Sequence, residues 1–208
     1  MKQTKMTTKE RITDEALTLF SRHGYNGTSV KNIANAVGIK DSSIYKHFKT
    51  KREIVDAIVE QMQEKIKEMS AKTGLPSEEN ESAAAFYGTL SVKNLQVLSR
   101  KAFLFYLQDE FMSRFWRFAT MEQYQDPAIY NIFRDLFFDQ SIIYQKTLFG
   151  EMLRQKAFDH GNPEIMALHF YAPIFFLLCK YTERNGQVEE ALEILDRHIS
   201  EFCRIYQN

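Results

Sequence analysis

Apolar residues recur at intervals of three and four along the whole chain, with no stretch of strict alternation, and this period predicts helices from end to end. The first helix opens at Thr7 with the capping box Thr7-x-x-Glu10. It carries Ile12, Ala16, Leu19 and Phe20 on one stripe before Gly24 ends it. Two short helices follow, at about 29 to 36 and about 41 to 48. A second box, Thr50-x-x-Glu53, opens a long fourth helix with Ile54, Ile58, Met62, Ile66 and Met69 on one face, until Gly74-Leu75-Pro76 stops it.

Residues 75 to 82, LPSEENES, read as a loop, and the small, polar stretch up to Gly88 reads as a short helix or a mobile segment. Further helices are expected from Ser91 to about Leu107, from Glu110 to Gln123, and from Asp126-Pro127 to about Arg154. An eighth starts at Gly161-Asn162-Pro163. Its centre, FYAPIFFLLCKY, is nearly apolar all round, which predicts burial on several sides. In the last helix Val188, Leu192, Leu195, Ile199, Phe202 and Tyr206 follow at intervals of 4, 3, 4, 3 and 4, the spacing of a packing seam. Such a seam suits a four-helix bundle made by the last two helices of two subunits, with the same seam packed inside its own subunit as the alternative. The fold class is therefore all-α, with about nine helices arranged as a three-helix head over residues 1–52 and a larger helical body over residues 53–208.

The head carries the most specific pattern, the segment from Thr28 to Lys51, TSVKNIANAVGIKDSSIYKHFKTK. Ile33, Ala34, Val37, Ile39, Ile44 and Phe48 supply apolar contacts, Gly38 sits at a sharp turn between two short helices, and Ala34 permits their close approach. With Ile44 and Phe48 turned inward, the outer face of the second short helix presents Ser42, Ser43, Tyr45, Lys46 and His47. This is the layout of a helix-turn-helix that lies in a DNA groove.

Residues 8 to 54 resemble the N-terminal domain of the TetR family of bacterial transcriptional regulators. The resemblance rests on a first helix ending in Phe20, Gly24 and Tyr25, on the turn and recognition helix from Thr28 to Phe48, and on Phe48-Lys49-Thr50-Lys51 at the entry to the fourth helix. Beyond residue 55 only the helical layout is similar. The chain departs from the family's habit at the start of the recognition helix, where Lys40 and Ser42 stand in place of a hydroxyl cap and a following glycine. The resemblance implies a homodimer that binds a palindromic operator and responds to a small-molecule effector held in the body, most often as a repressor.

Charge fits this division. The formal net charge is zero, yet residues 1 to 52 hold 11 Lys+Arg against 4 Asp+Glu, while the rest hold 16 against 23. A basic head suits phosphates, and an acidic body stays soluble without attracting polyanions. Lys46 and Lys51 are the expected phosphate contacts, with Thr28 offering its hydroxyl at the start of the second helix. Tyr45 and His47 resemble family positions that touch the DNA backbone, and Lys40, Ser42 and Ser43 are the expected base readers.

The body holds 15 of the 17 Phe, 8 of the 10 Tyr and the single Trp. Phe111, Met112, Phe115, Trp116, Phe118 and Ala119 cover too broad an arc for one interface, so part of this surface is expected to face an internal space. Candidates to line it are Phe105, Trp116, Met121, Tyr130, Phe133 and His169, which suit a hydrophobic or flat aromatic effector. A DNA-bound scaffold whose body recruits a protein, without any small-molecule effector, is the competing reading.

Cys179 and Cys203 are the only cysteines and lack a partner at metal-ligand spacing, so they read as small buried hydrophobes and no metal or other cofactor is expected. Neither G-x-S-x-G nor a phosphate-binding glycine loop, H-E-x-x-H or E-x-x-H occurs, which argues against an enzyme. The N-terminus lacks a secretory pattern, and the longest apolar run, from Tyr171 to Cys179, is interrupted by Pro173. The expected location is the cytoplasm.

Overall fold

The computed structural model describes residues 6–73, 86, 89, 91–124, 127–182 and 187–207. Every regular element among them is helical: α1 (Thr8–His23), α2 (Val30–Val37), α3 (Asp41–Ile44), α4 (Lys51–Thr73), α5 (Val92–Gln108), α6 (Glu110–Glu122), α7, α8 (Pro163–Tyr181) and α9 (Val188–Tyr206). The helix α7 has three parts, α-helical over Pro127–Arg134, π-helical over Asp135–Asp139 and α-helical again over Gln140–Arg154. Among the described residues, and with the three parts of α7 taken as one helix, the layout is all-α with nine helices, as expected. The predicted loop at 75–82, the stop at 74–76, Gly88 and the helix opening at Asp126 lie outside the described residues.

The chain divides into two compact units, Met1–Ile66 with Glu110–Phe133, and Lys67–Asp109 with Arg134–Asn208. In the first, Thr7 and Glu10 form the expected reciprocal box, and the face that α1 buries is Ile12, Ala16, Leu17 and Phe20. Leu17 replaces the predicted Leu19 because Thr13 and Ser21 are buried as well, which shifts the centre of the packed arc from the line Ile12, Ala16, Phe20 to the side that Leu17 occupies. That arc meets α6, where Phe118 stacks on Phe20 with ring centroids 5.3 Å apart. Alongside, Arg114 Nη2 donates to Asp14 Oδ1 at 2.7 Å. Each phenylalanine fully withdrawn from water here contributes about 1.5–3 kcal/mol. The broad apolar arc of α6 is buried as the sequence suggests.

In the second unit α9 packs on α5 and α8. Leu192, Leu195, Ile199 and Phe202 are buried within the single chain, the last three with no accessible surface at all. Phe202 sits among Phe149, Phe158, Phe170 and Tyr206 at centroid distances of 4.8–5.8 Å. The expected assignment of Val188, Leu192, Leu195, Ile199, Phe202 and Tyr206 to a subunit interface is therefore corrected. A side chain with no free surface in one chain has none to lose to a second, and only Val188 of the six keeps an intermediate exposure. Beside this seam Arg100 of α5 grips Asp196 with Nε–Oδ1 at 3.0 Å and Nη2–Oδ2 at 2.6 Å, and Gln96 Nε2 donates to Ser200 Oγ at 2.9 Å.

The apolar centre of α8 is also not buried all round. Ile165, Leu168, Ala172, Phe176 and Cys179 are exposed along one face, at intervals of three and four, while Met166, Ala167, Phe170, Leu177, Leu178 and Tyr181 pack inward. Cys179 thus departs from the buried position expected of it, whereas Cys203 keeps it. By length and composition α8 is the one described helix long and apolar enough to cross a membrane, and a third of that window is buried against its own unit.

Candidate nucleic-acid interface

The turn between α2 and α3 is built by backbone rules. Gly38 takes φ 77° and ψ 35°, the left-handed conformation that glycine adopts without strain, and the Ile39 and Gly38 N–H groups return to the carbonyls of Ala34 and Asn35. Arg11 of α1 closes the same helix end by donating from Nη2 to Val37 O at 2.5 Å. Ile33, Ala34, Val37, Ile44 and Phe48 are buried beneath, which fixes the outward face.

That face carries Lys40, Ser42, Tyr45, Lys46 and His47, all exposed, with Ser43 at intermediate exposure. The regular part of α3 is one turn long, shorter than the expected 41 to 48. After Ile44 the chain tightens through Lys46 N–H to Ser43 O and His47 N–H to Ile44 O, while Phe48 N–H still reaches Ile44 O and keeps Phe48 under Ile44.

Two predicted phosphate contacts sit elsewhere. Thr28 is buried, and its hydroxyl donates to Gly24 O at 2.9 Å, so the side chain ties the α1–α2 connection and is turned away from solvent. The exposed Ser29 is the true cap of α2, accepting from Asn32 N–H at 3.1 Å while Asn32 Oδ1 accepts from Ser29 N–H at 2.9 Å. Sequence reasoning passed over Ser29, although Ser-x-x-Asn was the available sign. Lys51 is equally committed: Nζ donates to Tyr25 O at 2.7 Å and Thr28 O at 2.9 Å and stands 3.9 Å from the Tyr25 ring centroid. Burial lowers its pKa, and attraction to Glu122 partly opposes that.

Glu122, at the last position of α6, is a further residue the sequence reading missed. The residue is 2% exposed; Oε1 accepts from Tyr25 N–H at 2.9 Å and Oε2 is buried without a hydrogen-bond partner among the described residues. Gly24, at φ 72°, leaves the space for this, since a Cβ there would stand 2.6 Å from Glu122 Oε1. An acid at a helix C-terminus opposes the helix dipole, and that local misfit was the sign in the sequence. At the head of α4, Thr50 Oγ1 accepts from Glu53 N–H at 3.2 Å as expected. The returning bond, however, runs from Lys49 N–H to Glu53 Oε2 at 2.8 Å, one residue before the cap.

Of the predicted effector contacts, Trp116 and Phe133 come together in the first unit with centroids 6.2 Å apart, both buried. Met121 and Tyr130 are exposed. In the second unit Phe105 stands against Tyr106 at 5.4 Å, and His169 is engaged with Tyr206, Nδ1 to hydroxyl 3.2 Å.

A buried three-helix head with an outward polar recognition turn defines a helix-turn-helix DNA-binding protein. The family described as bacterial regulatory proteins, tetR family, matches residues 12–58. Over 183 residues the chain is 25% identical to the negative transcriptional regulator IcaR of the biofilm operon icaADBC from Staphylococcus aureus, covering 88% of this chain and 90% of that one. The Staphylococcus epidermidis IcaR is 46% identical over 52 residues, a quarter of this chain. Among solved structures, a triclosan complex of SmeT superposes with a TM-score of 0.70 at 18% identity, covering 98% of this chain and 93% of the other. A TetR-family regulator from Mesorhizobium loti gives 0.67 at 19% identity, covering 97% of each chain. In sequence the chain thus resembles tetR-family transcriptional regulators, over residues 12–58 by the family model and over 183 residues by its likeness to IcaR.

Proposed function

We propose that the protein is a cytoplasmic homodimeric repressor that sits on a palindromic operator and is released by a small hydrophobic or aromatic effector. The observation that carries the reading is the outward face of residues 40 to 47, polar and basic over a buried Ile44 and Phe48, on a head tied at both ends by Arg11 and Lys51. In this assignment Lys40, Ser42 and Ser43 read bases, while Tyr45, Lys46 and His47 hold the backbone. Thr28 and Lys51 set the angle of α2 and do not reach phosphate through their side chains. The N-terminal N–H groups of α2 meet phosphate in their place.

One short recognition turn reads few bases, so two copies are needed, with half-sites about one helical turn apart. The bare line Ile165, Leu168, Ala172, Phe176 and Cys179 on α8 is the surface assigned to the two-fold contact. Repression is supported by the description of the IcaR relatives as negative regulators, and response to a ligand by the SmeT complex with triclosan. The effector would act through α4, which runs from the head into the second unit. Only a molecule with different affinity for the DNA-fitting and DNA-releasing arrangements can drive that change. Gel shift on DNA upstream of the protein's own gene is the test. Binding to a two-fold site is expected, and failure to bind any palindrome near that gene at low salt would overturn the proposal.

A further inference from the structure

Three of the five histidines, His160, His169 and His198, gather around Phe202 and Tyr206 in the second unit. His169 of α8 faces His198 of α9 with ring centroids 6.0 Å apart, and both keep intermediate exposure. A carbonyl can only accept, so the 2.9 Å contact of His198 Nε2 with Phe170 O makes Nε2 the nitrogen that carries the hydrogen and leaves Nδ1 to take up a second proton. His169 Nδ1 is hydrogen-bonded to the Tyr206 hydroxyl at 3.2 Å.

Among the described residues no carboxylate pairs with either ring of this couple. From the connection ahead of α8 come the exposed His160, its ring 6.1 Å from Tyr206, and Asp159, whose N–H donates to Tyr206 O at 3.0 Å. Along α9 itself, Arg197 donates to Glu193 O and Glu201 is held by Arg204 at 2.6 Å. The charged contact from α5, Arg100 on Asp196, falls on another flank of α9, and α7 presents the apolar Phe149 to Phe202. Burial holds His198 below its ordinary pKa and His169 adds to this, against the bond to Phe170 O. The couple also borders the bare line of α8. At about 100° per residue, His169 stands about 60° from the centre of the line Ile165, Leu168, Ala172, Phe176 and Cys179, on the side turned to Phe202 and Tyr206 of α9.

We infer that a second copy seated on the bare line of α8 also covers the His169–His198 couple, so that closing the two-fold contact expels one proton per copy and acid opens the dimer. The inference rests on the two-fold contact proposed above and adds its regulation. One proton per copy is the measure because two neighbouring imidazolium ions repel each other. Covering an imidazolium that has no carboxylate partner costs more than covering a neutral ring. The closed dimer therefore binds fewer protons than two free chains. Association is strong above the ordinary histidine value of about 6.5 and is lost as pH falls through it. Each expelled proton changes the dissociation constant about tenfold between pH 7.5 and 5.5, about a hundredfold for the two copies. Because a palindrome needs both heads, the same change takes the protein off its operator.

Sedimentation equilibrium of the full chain at pH 7.5, 6.5 and 5.5 measures the effect, with thermal melting at each pH to show that the chain stays folded. The dissociation constant is expected to rise about a hundredfold from pH 7.5 to 5.5. The double variant His169→Gln/His198→Gln keeps polar side chains without a titrating ring. It should retain the parent constant at pH 7.5 and hold it flat with pH, whereas His160→Gln should show the full rise. Should the double variant fail to fold, dilution calorimetry of the parent at pH 6.5, in two buffers of different ionisation enthalpy, counts the protons directly. About one released per dimer formed is expected there, because an ordinary histidine is then half protonated. A constant that is flat or falls in acid, a full rise in the folded double variant, or no proton released would overturn the inference. A dimer with a flat constant refutes the proton link and supports the two-fold contact, while a chain that stays monomeric at every pH up to micromolar concentration refutes the contact and the link with it.

Discussion

Replacing Phe176 by Glu tests the proposed two-fold contact most directly. Phe176 keeps 62% of its surface in the isolated chain. On the roughly 150–250 Å² that an aromatic side chain can bury, this leaves about 90–155 Å² to be covered by a partner. At about 25 cal/mol per Å² each copy contributes about 2–4 kcal/mol, and a two-fold interface uses the residue twice. Lost rigid-body freedom absorbs part of that total, so a net loss of about 3 kcal/mol, or about a hundredfold in dimer dissociation constant, is the conservative expectation. Sedimentation equilibrium across nanomolar to micromolar concentrations measures it, with thermal melting to show that the monomer fold survives. Phe202→Ala is the counter-control: buried inside its own unit, it should cost about 3–5 kcal/mol of fold stability. Were Phe176→Glu to sediment as the parent dimer, with an unchanged dissociation constant, the assignment of the α8 face would be wrong.

Gly38→Ala should cost about 1–2 kcal/mol in denaturant melts from backbone strain alone, since a Cβ there meets nothing within 4 Å. Gly24→Ala should cost more because its Cβ also strikes Glu122 Oε1, and adding Glu122→Ala should make the double variant less unstable than the sum of the singles. Lys46→Ala should weaken binding to all DNA sequences and lower the slope of log affinity against log salt by about one, as read by anisotropy titration. Thr28→Val should leave that slope unchanged and lose about 1 kcal/mol of stability. His198 is held below its usual pKa, first by burial and further by the nearby His169, with its hydrogen bond to Phe170 O opposing. The unfolded chain therefore takes up this proton first. Stability present at neutral pH is lost as pH falls below about 6.5, and His198→Gln should flatten that slope in urea melts between pH 7.5 and 5.5.

What the sequence made legible and what it hid have physical causes. The interval pattern of α9 correctly announced a buried face, but periodicity says only that a face is covered and not by which chain; here α5 and α8 of the same chain cover it. The bare face of α8 was hidden for the opposite reason: a helix apolar on every side has no polar stripe to mark its exposed edge. Thr28 and Ser29 are adjacent hydroxyls, and only the returning bond from Asn32 decides which one caps α2. The recognition turn was readable because Ile44 and Phe48 are four apart and both point inward, leaving the residues between them outside. Glu122 depends on a contact across about a hundred residues, which no local pattern encodes.

The π turn at Asp135–Asp139 also bears on how this chain tolerates change in length. Such a turn carries one residue beyond what the helical path requires, so excising a single residue there turns the stretch into ordinary α-helix while both flanks keep their facing. Elsewhere in α7 the same excision would swing everything downstream by about 100°. Kin that lack one residue at this point can thus preserve the second unit's interior, and an alignment gap belongs inside 135–139.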